Sequence, residues 1–138
     1  MGIRIPKNYR PTKDERFMSH KMLEYFRRKL IKWRESILEE SNQTLRNLAN
    51  DTIREADLAD RATAETDRAI ELRTRDRQRK LISKIDAAIN RIEEKSYGYC
   101  DESGDPISLQ RLEARPIATL SLEAQERHER RERTYRDD

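Results

Sequence analysis

In the first third of the chain, apolar positions recur at alternating intervals of three and four: Leu23, Phe26, Leu30, Trp33 and Ile37. That spacing draws one stripe down a helix and is the seam of a coiled coil. The stripe then slips by one residue, to Leu38, Leu45, Leu48 and Ile53. A second seam follows at Leu81, Ile85, Ala88 and Ile92, with Ile82 and Ile89 beside it. Between Leu72 and Leu81 no residue is apolar, so that stretch is either a solvated face or one that meets a partner. Neither Gly nor Pro occurs between Pro11 and Gly98. A single helix over residues 12–97 would be about 130 Å long, and so small a chain cannot bury the stripe of such a rod. The run is therefore expected to fold back once, as a long antiparallel helical hairpin. Asp14 and Ser19 are candidate caps for the first arm. The turn is expected at 55–62, with Asp60 as candidate N-cap of the second arm, because Asp, Asn and Thr compete with helical hydrogen bonding.

The pattern changes after Tyr97. Gly98, Gly104, Pro106 and Pro116 crowd into a short stretch, which reads as turns and short strands. From Ser121 to Tyr135 there is no breaker and many Glu/Arg neighbours, which predicts a charged C-terminal helix with Ser121 and Glu123 at its start. The fold class is mainly α, and no internal repeat is present. The expected organisation is an N-terminal extension (1–13), a coiled-coil hairpin (14–96), a zinc-finger-like region without a full ligand set (97–120) and a C-terminal helix (121–138).

Composition narrows the function classes. Charged residues make up 41% of the chain, apolar ones only 34%, and 30 basic residues nearly balance 27 acidic ones. Such a chain builds long solvated helices rather than a large globule. No stretch approaches the roughly 20 apolar residues of a membrane span. The start, Met1 to Pro6, shows no hydrophobic signal region, and Pro6 stands where a myristoylation signal carries Ser or Thr. One cysteine excludes an internal disulfide framework. The expectation is a cytoplasmic protein.

Three groups of residues carry candidate chemistry. Around the expected turn, Glu55, Asp57, Asp60, Glu65 and Asp67 face a single cation, Arg61. These read either as a solvated, capped turn or as a carboxylate-bearing probe for a cationic or metal-containing site. Positions 71–84 hold six basic residues against Glu71 and Asp76, with no aromatic to stack on bases. That run suits a nucleic-acid face or a protein-docking face. Cys100 stands in a Gly-bounded turn, and Ser103, Ser121 and Ala124 occupy the positions that would complete a four-cysteine frame. One cysteine, with His20 and His128 far away, does not assemble a structural zinc site. Zinc is not expected; a small packed thiol is, with a redox-sensing thiol as the alternative. No nucleophile elbow, phosphate loop or His/carboxylate pair of known spacing occurs, so the chain is not expected to be an enzyme.

Four segments, in order, resemble the DksA/TraR family: Asp57-Leu58-Ala59-Asp60-Arg61-Ala62, then Arg73 to Ile85, then Tyr97-Gly98-Tyr99-Cys100, then Arg111 to Pro116. The resemblance spans roughly 14–138 and is nearest to cysteine-poor, zinc-independent members. It implies a monomeric bacterial transcription regulator that binds RNA polymerase through the secondary channel and does not bind DNA sequence-specifically. With the alarmone ppGpp it would act in the stringent response at ribosomal RNA and amino-acid biosynthesis promoters. Asp57, Asp60 and Ala62 match the tip that acts near the polymerase active site, and Arg77 matches a docking arginine. Leu81, Lys84 and Arg115 match positions at a ppGpp site shared with the polymerase. Gln125 stands where the family commonly has a lysine at that site, which removes one positive charge. The rival reading is a helical-hairpin adaptor or RNA-binding protein that uses the basic face.

Overall fold

The computed structural model describes residues 4–54 and 58–137, with side chains described for 4–47 and 62–135. Four helices follow in order: α1 (His20–Arg54), α2 (Leu58–Glu93), α3 (Leu109–Ala114) and α4 (Leu122–Asp137). Among the described residues none forms a strand; a single antiparallel bridge joins Tyr99 to Pro106. The short strands expected after Tyr97 are therefore absent there. The pairing is confined to this bridge, flanked by the bonds from Ile107 N to Gly98 O and from Cys100 N to Asp105 O.

Ser19, not Asp14, starts α1. Its carbonyl accepts the first intrahelical bond, from Leu23 N at 2.9 Å, and its hydroxyl accepts from Met22 N at 3.3 Å, which satisfies one otherwise orphan donor. The helix α2 stops without glycine. Lys95 takes a left-handed φ of 64°, Lys95 N donates to Ile92 O, and Ser96 N donates to Arg91 O. This is the paired-bond C-terminal motif that glycine usually supports. Asp60, expected ahead of the second arm, lies inside α2, so it does not cap that helix from outside. Asp57 falls outside the described residues.

The chain divides into two units, Ile31–Asp86 and a second made of Met1–Leu30 with Ala87–Asp138. In the first, α1 and α2 run antiparallel. Arg34 Nε lies 2.9 Å from Asp86 Oδ1, an ion pair not aligned as a hydrogen bond. Two turns further along α1, Ser41 Oγ donates to Gln78 Oε1 at 2.8 Å. The two cross-links move in opposite directions along the helices, as a hairpin requires. Ile37 and Ile85 are buried there, whereas Leu38 and Leu45, on the slipped stripe, stay 40% exposed.

The second unit holds the denser core: Met22, Phe26, Leu30, Ala88, Ile92, Tyr97, Ile107, Leu112 and Ile117 are all buried. Tyr97 packs against Phe26 with ring centroids 5.5 Å apart, and Phe17 meets Tyr99 edge-on. Gly98 sits at φ 92°, where an added Cβ would lie 2.8 Å from Met18 Cε. The backbone angle favours glycine at this position, and an added Cβ would also force the Met18 side chain to shift. The helix α3 went unanticipated in the sequence, although Ser108 accepts from Arg111 N and marks its start. At α4, Ser121 accepts from Gln125 N through its carbonyl and from Ala124 N through its hydroxyl, the N-terminal role expected of it.

Candidate functional site

Within the hairpin unit, Arg77, Leu81 and Lys84 follow one another at intervals of four and three on α2, so they share one helical face. Arg77 and Lys84 are exposed and Leu81 is half-buried. Neither cation makes a hydrogen bond or ion pair among the described residues, which leaves both available to an external anion. Further toward the start of α2, Ala62 is exposed. Asp60 lies on the same helix, but its side chain, like all of Asp57, is outside the described residues.

The end unit carries Arg115 and Gln125. Arg115 caps α3: its N–H donates to Arg111 O at 2.7 Å and its carbonyl accepts from Ala118 N at 3.0 Å. Its guanidinium is exposed and unpaired among the described residues. Gln125 is half-buried on α4 and donates to Glu129 Oε1 at 3.3 Å. The loop after Arg115 is pinned from three sides. Tyr97 Oη donates to Pro116 O at 2.7 Å, Arg111 Nε to Leu120 O at 2.9 Å, and Asp101 N to Thr119 O at 2.8 Å. Burial pushes the Tyr97 hydroxyl well above its ordinary range, so it stays a donor.

In the same unit, Lys29 Nζ donates to Glu113 O at 2.9 Å and to Glu113 Oε2 at 2.7 Å. Tyr25 Oη donates to the same carboxylate oxygen at 3.0 Å. Burial, then the bond to Glu113 and its negative charge, push Tyr25 up to about 12. The residue pattern alone does not reveal this network, because its partners are more than 80 residues apart in the chain.

Cys100 is buried, and its amide donates to Asp105 O while its carbonyl accepts from Gly104 N. Burial pushes the thiol up, but donors around the sulfur outweigh that: the Ser103 hydroxyl, then the backbone of Ser121, Ser103 and Glu102. The thiol comes down to about 6. The donor set of the four-position frame does not fit zinc. Ser103 and Ser121 offer neutral hydroxyls, which already accept from Asp105 N and Ala124 N. Ala124 presents only a fully buried methyl group. A tetrahedral structural zinc needs four thiolate or imidazole ligands, and the frame provides one. Among the described residues no three His, Cys, Asp or Glu side chains stand together as a metal group.

The family described as DnaK suppressor protein DksA, N-terminal domain, matches residues 22–92. The prokaryotic dksA/traR C4-type zinc finger matches 95–130, so this chain keeps the finger's sequence frame with one of its four cysteines. An RNA polymerase-binding transcription factor DksA of Caulobacter vibrioides is 66% identical over 131 residues, covering 95% of this chain and 92% of the relative. The protein of that name from Escherichia coli is 37% identical over 125 residues, covering 91% of this chain and 83% of the relative. Transcription factor DksA2 from Pseudomonas aeruginosa superposes with a TM-score of 0.80 at 39% identity, covering 85% of this chain and 90% of that one. The helical hairpin, the finger frame and these relationships together establish that the chain belongs to the DksA/TraR family.

Proposed function

We propose that this protein is an RNA polymerase-binding transcription regulator that enters the polymerase secondary channel tip first. The observation that carries the reading is its 66% identity, over nearly the whole chain, to a relative named for binding RNA polymerase. The physical design agrees with it. The 36 residues of α2 give an arm of about 54 Å. Pairing with α1 stiffens that arm, Asp60 and Ala62 lie in its first two turns, and Asp57 precedes them in the sequence. Two carboxylates delivered on a rigid rod bring negative charge to a cation-rich catalytic centre without a chemical step of their own. The protein is a regulator and not an enzyme.

In this reading Arg77 docks the hairpin on the channel rim. Lys84, with Leu81 beside it, and Arg115 contribute to a ppGpp site completed by the polymerase. Cationic donors suit a polyphosphate, which accepts charge-assisted hydrogen bonds, and Arg can donate two such bonds at once. Gln125 supplies an amide where a lysine would supply charge. The protein works as a monomer in the cytoplasm, where polymerase resides, and reads no DNA sequence. Its targets are ribosomal RNA and amino-acid biosynthesis promoters. Among the described residues no helix is long and apolar enough to cross a membrane.

The test is capture of the tagged protein from lysate treated with nuclease. Core polymerase should remain bound without nucleic acid. Loss of every partner after nuclease treatment would favour an RNA-binding protein and overturn the proposal.

A further inference from the structure

We infer that Lys29, with Tyr25, is a positioning residue for Arg115, acting through the C-terminal end of α3. The inference rests on the reading of Arg115 as a ppGpp contact and adds the device that aims it. Arg115 has no side-chain partner among the described residues, so only its backbone fixes where the guanidinium starts. That backbone is irregular, with φ −141° and ψ 85°, and leaves directly from the last turn of α3. With six residues, α3 is too short to hold its own geometry. Ser108 caps its start.

Its other end is held from α1. The Lys29 ammonium takes both the Glu113 carbonyl, one of the helix's last acceptors, and the Glu113 carboxylate. A cation there also complements the helix dipole. Tyr25 converges on the same Oε2, while Glu113 Oε1 is buried without a hydrogen-bond partner. The last turn is thus fixed through one oxygen and one carbonyl, two residues before Arg115. The Lys29–Glu113 pair is about one-third exposed, at 36% and 30% for the two side chains. A pair so exposed contributes little to overall stability. Its loss should therefore reorient the turn without unfolding the unit, which separates aiming from folding.

The experiment measures three quantities for the parent, Lys29→Met, Lys29→Arg and Arg115→Ala. These are polymerase affinity, thermal midpoint, and the ppGpp concentration for half-maximal inhibition of a ribosomal RNA promoter. Lys29→Met should raise that concentration about tenfold, the effect of weakening one charge-assisted contact. Polymerase affinity and the midpoint should stay near the parent, and Lys29→Arg should restore the response. If Arg115→Ala is impaired and Lys29→Met is not, the positioning role is wrong while the ppGpp reading stands. If neither is impaired, the ppGpp reading itself has failed. A Lys29→Met protein that loses midpoint, polymerase affinity and response together would show a structural role only and overturn the inference.

Discussion

Tyr97 Oη donates to Pro116 O at 2.7 Å, a buried bond between the segment that leaves α2 and the loop that follows Arg115. Pro116 lacks an N–H, so its carbonyl is its only backbone hydrogen-bonding group, and here it is removed from water. Tyr97→Phe keeps the ring against Phe26 and leaves that acceptor unsatisfied. The expected loss is about 1–3 kcal/mol. Each kcal/mol should lower the thermal midpoint by roughly 2–4 °C in a chain of this size. Calorimetry of the two proteins measures it, and an unchanged midpoint would contradict the importance given to this bond.

The finger frame leads to a second expectation. One thiolate, two engaged serine hydroxyls and a buried methyl cannot hold a structural zinc. Purified protein should contain no stoichiometric zinc by elemental analysis, and EDTA should leave its thermal transition in place. A one-to-one zinc content would refute this.

Stability should depend on pH through Cys100. Its thiol is lowered to about 6 in the folded chain from an ordinary value of 9.0. A lowered folded value means that the folded state favours the thiolate. The resulting stabilisation is complete above about 9 and is lost as pH falls through about 6. Between those limits the thermal midpoint of the parent should rise with pH more steeply than that of Cys100→Ser. Parallel curves would show that the sulfur carries no such linkage.

At the tip, Asp60→Asn removes a charge with little change of shape. An electrostatic role predicts that polymerase affinity survives while promoter inhibition is lost. Binding measurements beside run-off transcription separate the two. Equal loss of both would instead assign Asp60 to the integrity of the helix start.

The ppGpp response should respond to Lys84 and Gln125 in opposite directions. Lys84→Ala removes an unpaired cation and should abolish synergy with ppGpp. Gln125→Lys adds one, but Glu129, four residues on, already engages Gln125 and would compete for the new ammonium. The gain is therefore expected near tenfold, the lower end of a charge-assisted contact. Half-maximal ppGpp concentrations for the three proteins measure it. An unchanged response in Lys84→Ala would remove that residue from the site.

The sequence alone determined the hairpin. Its seams at Leu23–Ile37 and Leu81–Ile92, with no Gly or Pro from 12 to 97, admit few other folds, because helical periodicity is a local property of the chain. It also determined the charge contrast between tip and flank, the Ser121 helix start and the poverty of the zinc frame, since each follows from residue types at fixed spacing. What the tertiary structure decided was long-range. It buried Met22 and left Leu38 and Leu45 half-covered, because the hairpin register selects which side of a slipping stripe meets its partner. It turned expected strands into α3, where Ser108 and Lys29 hold a helix too short to stand by itself. It also joined Lys29 and Tyr25 to Glu113. A contact between residues so far apart in the chain leaves no periodic trace, since it depends on where the fold brings two surfaces together.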